Sequence, residues 1–296
     1  MASMGIGEIC SISAAATWAG GVIVYKRLGE SLPPLTLNLI KNVIVLGMIV
    51  PTVFAVHGLE IPILPASSIV LALISGVLGI AVADTLYFRA LNTLGAGRMG
   101  IIGNFYSPFV IVLSYVFLAE RLNALQLVGF ALVSGGVLIV SSDDPQRRLS
   151  KAELRRGALY GVAAILLMAT AIVMVKRVLE AQPLLWIVLL RLAGGVVGML
   201  AIFAWRRQPL PIFAHRPAHL RWPLIVLAAF LGQYLSMVLW MAGYKYTEAS
   251  IAAVLNETAS VFIVLLAALF LREGIDRRKL VGVTCTLSGV ACMLLA

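Results

Sequence analysis

Residues 26–33 read Lys26-Arg27-Leu28-Gly29-Glu30-Ser31-Leu32-Pro33, and 150 positions later residues 176–183 read Lys176-Arg177-Val178-Leu179-Glu180-Ala181-Gln182-Pro183. At the same offset Lys41 aligns with Arg191. Further along, the offset becomes 153: Leu118-Ala119-Glu120 then matches Leu271-Arg272-Glu273, and Leu127-Val128-Gly129 matches Leu280-Val281-Gly282. Gly79, Ser107 and Gly136 find Gly232, Ser260 and Gly289 in the same register. One such match is chance. A collinear series along nearly the whole chain is an internal duplication.

The stretches around these matches are apolar. Ten continuous runs stand out, at 6–25, 35–56, 67–88, 99–118, 123–141, 157–175, 184–205, 222–243, 249–271 and 280–296. A bilayer core about 30 Å thick takes roughly 17–25 helical residues per crossing. Lipid tolerates only helices or closed barrels, and uninterrupted rather than alternating hydrophobicity excludes the barrel. The expectation is an all-α integral membrane protein of ten helices in two five-helix repeats around a central cavity. Residues 1–145 form the first repeat, 146–156 a basic linker and 157–296 the second repeat. The first run is expected to be a retained span, because Met1–Gly7 lacks the positive charge of a signal peptide.

Five helices per repeat is an odd number, so the second copy enters the membrane in the opposite sense. Charge agrees. Of the 23 Lys and Arg, 17 fall in connections on one face and four on the other, with the bias reversing between the repeats. That is the signature of inverted repeats under the positive-inside rule. It also accounts for the net charge of +10 without a nucleic-acid partner. Composition excludes further classes: the chain is 61% hydrophobic and 12% charged, against about 25% charged for soluble domains. A soluble enzyme or disordered regulator is ruled out. Cys10, Cys285 and Cys292 sit in apolar runs without CxxC spacing, so neither disulfide nor metal site is expected. Gly95-Ala96-Gly97-Arg98-Met99-Gly100 fits a dinucleotide fingerprint, but it opens a membrane helix with no preceding strand. No Walker lysine loop or catalytic constellation appears, so neither a cofactor nor an enzymatic role is expected.

The Ala16-Thr17-Trp18-Ala19-Gly20 opening, the Leu32-Pro33-Pro34-Leu35 before the second run and the Phe117-Leu118-Ala119-Glu120 hinge leading to Gly129 resemble the drug/metabolite transporter superfamily, in particular its EamA branch. The resemblance covers about the whole chain. It implies a ten-helix basket with a central cavity and alternating access, in a bacterial inner membrane or equivalent, and export of amino acids or other small metabolites. It also implies both termini inside, whereas the charge count places them outside. Two positions depart from the pattern: Lys41 stands where Arg is frequent, and the ninth run carries the polar Asn256-Glu257-Thr258.

Ionisable groups within a span cost at least about 2.5–3.5 kcal/mol at mid-membrane and face a cavity or a partner. Four qualify: Lys41, Asp84, Arg191 and Glu257. One reading pairs Lys41 with Asp84 and Arg191 with Glu257 as structural ion pairs, with Arg89 an alternative partner for Asp84 and snorkelling an alternative for the two cations. The other gives Lys41 and Arg191 to a substrate carboxylate or phosphate, and Glu257 and Asp84 to a coupling proton. Glu257 lies about nine residues into its run, about 13 Å deep, and aligns with Asn104. Asn104 with Ser107 and Glu257 with Ser260 then give matching polar faces, supported by Asn256 and Gln233, with Pro108 a candidate kink. Trp18, Tyr87, Tyr106 and Trp240 are candidate cavity-lining aromatics. Trp186, Trp205 and Trp222 read as interface anchors. The leading function is a secondary exporter of small polar metabolites, amino acids first, driven by a proton or solute counter-gradient, as monomer or homodimer. A multidrug exporter of lipophilic cations and a non-transporting membrane scaffold are the alternatives.

Overall fold

The computed structural model describes residues 5–28, 34–141, 149–207, 222–271 and 276–296. Of the positions singled out above, Gly29–Pro33, the linker up to 148 and Arg272–Glu273 lie outside them. The described residues contain helices and no strand. Eight helical stretches among them are long and apolar enough to cross a membrane. Helix α1 (Ile6–Leu28) and helix α7 (Ala124–Ser141) coincide with the two remaining predicted runs.

The first repeat continues through α2 (Pro34–His57), α3 (Ala66–Gly76), a π-helical segment (Val77–Ala83), α4 (Asp84–Leu94), α5 (Ala96–Gly103) and α6 (Tyr106–Leu118). The second comprises α8 (Lys151–Ala181), α9 (Leu184–Trp205), α10 (Trp222–Ala229), a second π-helical segment (Phe230–Leu235), α11 (Ser236–Tyr246), α12 (Ala249–Asn256), α13 (Ala259–Leu271) and α14 (Arg277–Leu295). The start of α8 falls inside the expected linker. Its 31 residues span about 46 Å at 1.5 Å per residue, longer than a bilayer core, so Lys151, Arg155 and Arg156 ride on a helical extension. Ser150 and Glu153 close that end with a reciprocal capping box.

The duplication is visible in the irregularities as well as the helices. Both π segments start at equivalent positions, Val77 and Phe230, and both interrupted spans break at equivalent positions, Asn104–Phe105 and Glu257–Thr258. The repeats also interlock. The first helix of each packs into the third span of the other: α1 against α11, and α8 against α4. The fifth helices, α7 and α14, meet each other. Their approach depends on glycine: a Cβ on Gly129 would stand 2.8 Å from the Gly289 carbonyl oxygen, and one on Gly282 would stand 2.8 Å from that of Gly136. Gly136→Leu should therefore destabilise the protein by about 1–3 kcal/mol through overpacking, read as a lower unfolding temperature in detergent. Gly135→Leu, which enters open space, is the control.

Polarity is arranged for a lipid exterior. Val116, Phe117, Val197 and Leu269 face outward, while Asn38, Asn42, Ser107 and Arg191 are buried. Apolar side chains meet solvent hydrocarbon, and polar ones are gathered where protein atoms can satisfy them.

Candidate functional site

Helix α2 carries the first half of the interior cluster. Lys41 Nζ lies 3.4 Å from the Asp84 carboxylate and 5.4 Å from the centre of the Phe88 ring. Lys41 is only 7% exposed, so it points inward and does not snorkel. Lys41 takes the place beside Asp84 that Arg89 was expected to contest. Beside Lys41, Asn42 donates to both oxygens of Asn38 one turn back, and Asn38 donates 2.8 Å to the Ile80 carbonyl within the first π segment. Gln233, from the second π segment, reaches Asn42 Oδ1 at 3.5 Å. A π turn disturbs the regular backbone ladder, and these amides supply partners between the two segments. Lys41→Met strands the Asp84 charge. Because the Asp84 side chain is 20% exposed, the loss should fall at the low end of about 3–5 kcal/mol. Adding Asp84→Asn should recover most of it, as thermal unfolding of the double variant would report.

Arg191 is held by a close approach of α9 to α3. Gly194 permits it, since a Cβ there would stand 2.9 Å from Leu73 Cα, and Gly195 and Gly198 likewise rest on Ile80 and Ala81. This glycine stripe is thus used inside the chain. The guanidinium lies 5.6 Å from the Trp240 ring centre. It does not pair with Glu257, contrary to the expected ion pair: Arg191 Nε and Nη1 and Glu257 Oε2 are each buried without a hydrogen-bond partner. A guanidinium 3% exposed with two idle donors is a costly arrangement.

Glu257 occupies the break between α12 and α13, and Ser107 Oγ donates to its Oε1. The polar faces expected on the fourth and ninth runs therefore meet. The break in the first repeat lies at Asn104–Phe105, ahead of Pro108, which sits in the first turn of α6 where its missing N–H costs little. The second repeat breaks without proline. There Asn256, Thr258 and Ser260 donate their side chains to the carbonyls of Ala252, Leu255 and Glu257, competing with the helical ladder. Asn104 Nδ2 donates to the Ser134 carbonyl at 2.9 Å, and its Oδ1 lacks a partner.

The aromatics divide. Tyr106 shares a 2.9 Å hydrogen bond with Tyr244, whose ring is edge-on to Trp240 at 5.0 Å. Tyr106 adjoins Ser107, the residue that holds Glu257. Tyr87 packs edge-on against Phe88. Trp18 does not join the cluster: it is 39% exposed and faces outward. The anchor role expected for Trp186 fails as well, because that residue is buried against Phe54. Trp205 is exposed as an anchor should be.

Above Tyr244, at the face where α1 begins, lies a cleft of about 590 Å³ lined by Glu120, Lys176, Arg177, Glu180, Lys245 and Glu248 among others. Most of its charges are already in use. Glu120 caps α12 by accepting from the backbone N–H groups of Ala249 and Ser250 at 2.8 and 2.9 Å. Lys245 caps the end of α8 through the carbonyls of Leu179, Glu180 and Gln182, and Lys176 pairs with Glu180. Burial, then the neighbouring Glu120 carboxylate, pushes the Glu248 carboxyl above its usual range.

The profile of the EamA-like transporter family matches residues 5–142 and 155–295. The chain belongs to that family. This EamA-like transporter is a multi-pass membrane protein. It is 20% identical to a Bacillus subtilis (strain 168) protein described as the uncharacterized transporter YetK, over 96% of this chain and 86% of that one. It is 28% identical to protein PecM of Dickeya dadantii (strain 3937), over 70% and 68% respectively. A crystal structure described only as that of a protein shares the fold, with a TM-score of 0.81 at 17% identity, covering 97% of this chain and 95% of the other. Among the transporter's interior residues, sequence reasoning passed over Asn38, Asn42 and Tyr244. The two asparagines had a visible signal, being amides one turn apart in an apolar run. Tyr244 had none, since a tyrosine just past the predicted run 222–243 reads as an interface residue.

Proposed function

We propose that this transporter exports a small metabolite carrying a carboxylate, an amino acid first, by alternating access coupled to a proton gradient. The observation that carries the reading is Arg191: a buried guanidinium whose Nε and Nη1 have no hydrogen-bond partner in the protein, donors that the oxygens of a bound carboxylate would satisfy. The substrate anion supplies the partner that the protein withholds. Glu257, with one oxygen idle at a helix break, is the counterpart that takes an ammonium group or a proton. The inverted repeat supports alternating access around a midplane site. A lipophilic cation suits the cluster less well, because Arg191 already occupies the Trp240 ring and repels a second positive charge. Purified protein in liposomes, loaded with unlabelled amino acids and offered a labelled panel, should accumulate label by counterflow, and an imposed proton gradient should drive net flux. Absence of counterflow for every amino acid would refute the substrate class.

A further inference from the structure

The Tyr106–Tyr244 bond stands between the buried Arg191–Glu257 cluster and the charged cleft. On one side Glu257 is held by Ser107, the neighbour of Tyr106, and Arg191 lies over the Trp240 ring that packs on Tyr244. On the other side lies the 590 Å³ cleft. Tyr244 is fully buried (0% exposed) and precedes Lys245, which lines the cleft. The bond also crosses the repeats, tying the start of α6 to α11. We propose that the cleft is the vestibule of the substrate path on the face where α1 begins, and that the Tyr106–Tyr244 hydrogen bond is the barrier closing it from the Arg191–Glu257 cluster.

The chemistry of the two rooms fits a zwitterion on its way through. The vestibule is wide enough for a small metabolite and is lined by three cations and three carboxylates, so it holds no net field against either end of such a molecule. Its fixed charges are spent on helix ends and on each other: Arg177 Nη2, for example, donates to the Phe117 carbonyl at 3.1 Å. This favours passage over tight retention. The barrier differs in kind. Two phenols joined by one neutral hydrogen bond make a contact that is cheap to break yet seals with two rings, and Trp240 buttresses Tyr244 from the Arg191 side. A substrate carboxylate reaching Arg191 would also meet the Tyr106 hydroxyl, offering it an alternative acceptor. Occupancy of the inner site and opening of the gate then compete for the same hydroxyl. The assignment rests on the transport reading, but its test does not need the substrate.

In a background with Cys10, Cys285 and Cys292 replaced by serine, Ser107→Cys reports access to the inner compartment and Ile251→Cys, in the cleft wall, reports access to the vestibule. A membrane-impermeant thiol reagent is applied from the α1-start face. Ile251→Cys should react readily and Ser107→Cys slowly. Tyr244→Phe or Tyr106→Phe should speed labelling at Ser107→Cys by about three- to tenfold, as loss of one neutral hydrogen bond allows, and leave Ile251→Cys unchanged. The double phenylalanine variant should add nothing to either single change, because both remove one shared bond. Unchanged Ser107→Cys labelling in the two single variants would overturn the gate; should Tyr244→Phe fail to fold, Tyr106→Phe decides. Amino-acid counterflow by Ile251→Cys should fall once a bulky reagent is attached, and undiminished flux would remove the cleft from the path. If the wild type shows no counterflow, the substrate class fails while the labelling result still stands or falls alone.

Discussion

Arg191→Met is expected to abolish amino-acid counterflow while making the empty protein more stable. The two effects have one cause. Without substrate the guanidinium is buried with two donors idle, and replacing a buried ionic group by an apolar one of similar size is worth about 1–4 kcal/mol. Against that stands the contact with Trp240, worth at most about 2 kcal/mol. Desolvation wins on these magnitudes, so the unfolding temperature of the empty variant should rise. With substrate the balance reverses, since a carboxylate bound at Arg191 loses a paired cation, a change of about 2–5 kcal/mol or roughly 30- to 4,000-fold in affinity. A residue kept for structure behaves oppositely: its removal costs stability and leaves binding intact. Thermal unfolding of the empty variant beside counterflow of the same preparation separates the cases.

Glu257→Gln is expected to uncouple the transporter. The amide keeps the shape of the side chain and still offers an acceptor to Ser107, so the α12–α13 break and the fold should survive. What it loses is the ability to alternate between charged and neutral forms. Net flux driven by an imposed proton gradient should fall to the level seen without one, whereas exchange of amino acid for amino acid at equal pH should persist. Normal gradient-driven flux in this variant would free Glu257 from the coupling role. An unfolded variant would place it among the structural residues.

Much of the architecture was legible because bilayer thickness and backbone satisfaction leave few options. The ten runs, the duplication and the reversed charge bias follow from residues that must be apolar or must stay out. The four intramembrane charges were also legible, since each is expensive enough to need a reason. Their partners were not. A helix with apolar side chains all round gives little sign of which face meets lipid and which meets protein, and that azimuth separates Trp18, which faces outward, from Trp186, which is buried. It also separates the Lys41–Asp84 pair, which forms, from the Arg191–Glu257 pair, which does not. The π segments were hidden for a different reason: Val77–Ala83 and Phe230–Leu235 carry no proline, and the Ile80 carbonyl of the first is met by a distant amide, Asn38. The polarity of Asn256-Glu257-Thr258 was visible, but that its hydroxyl and amide side chains break the helix there was not.

Recognition of a carboxylate by Arg191 is the centre of the account, and an analogue pair tests it most directly. Counterflow of a transported, labelled amino acid is competed by the unlabelled amino acid and by its amide, in wild type and in Arg191→Met. The account predicts that the wild type prefers the acid by about 100-fold, as loss of a buried charge pair implies, and that the variant has lost both the flux and any preference in substrate-induced thermal protection. Equal competition by acid and amide in the wild type would contradict it.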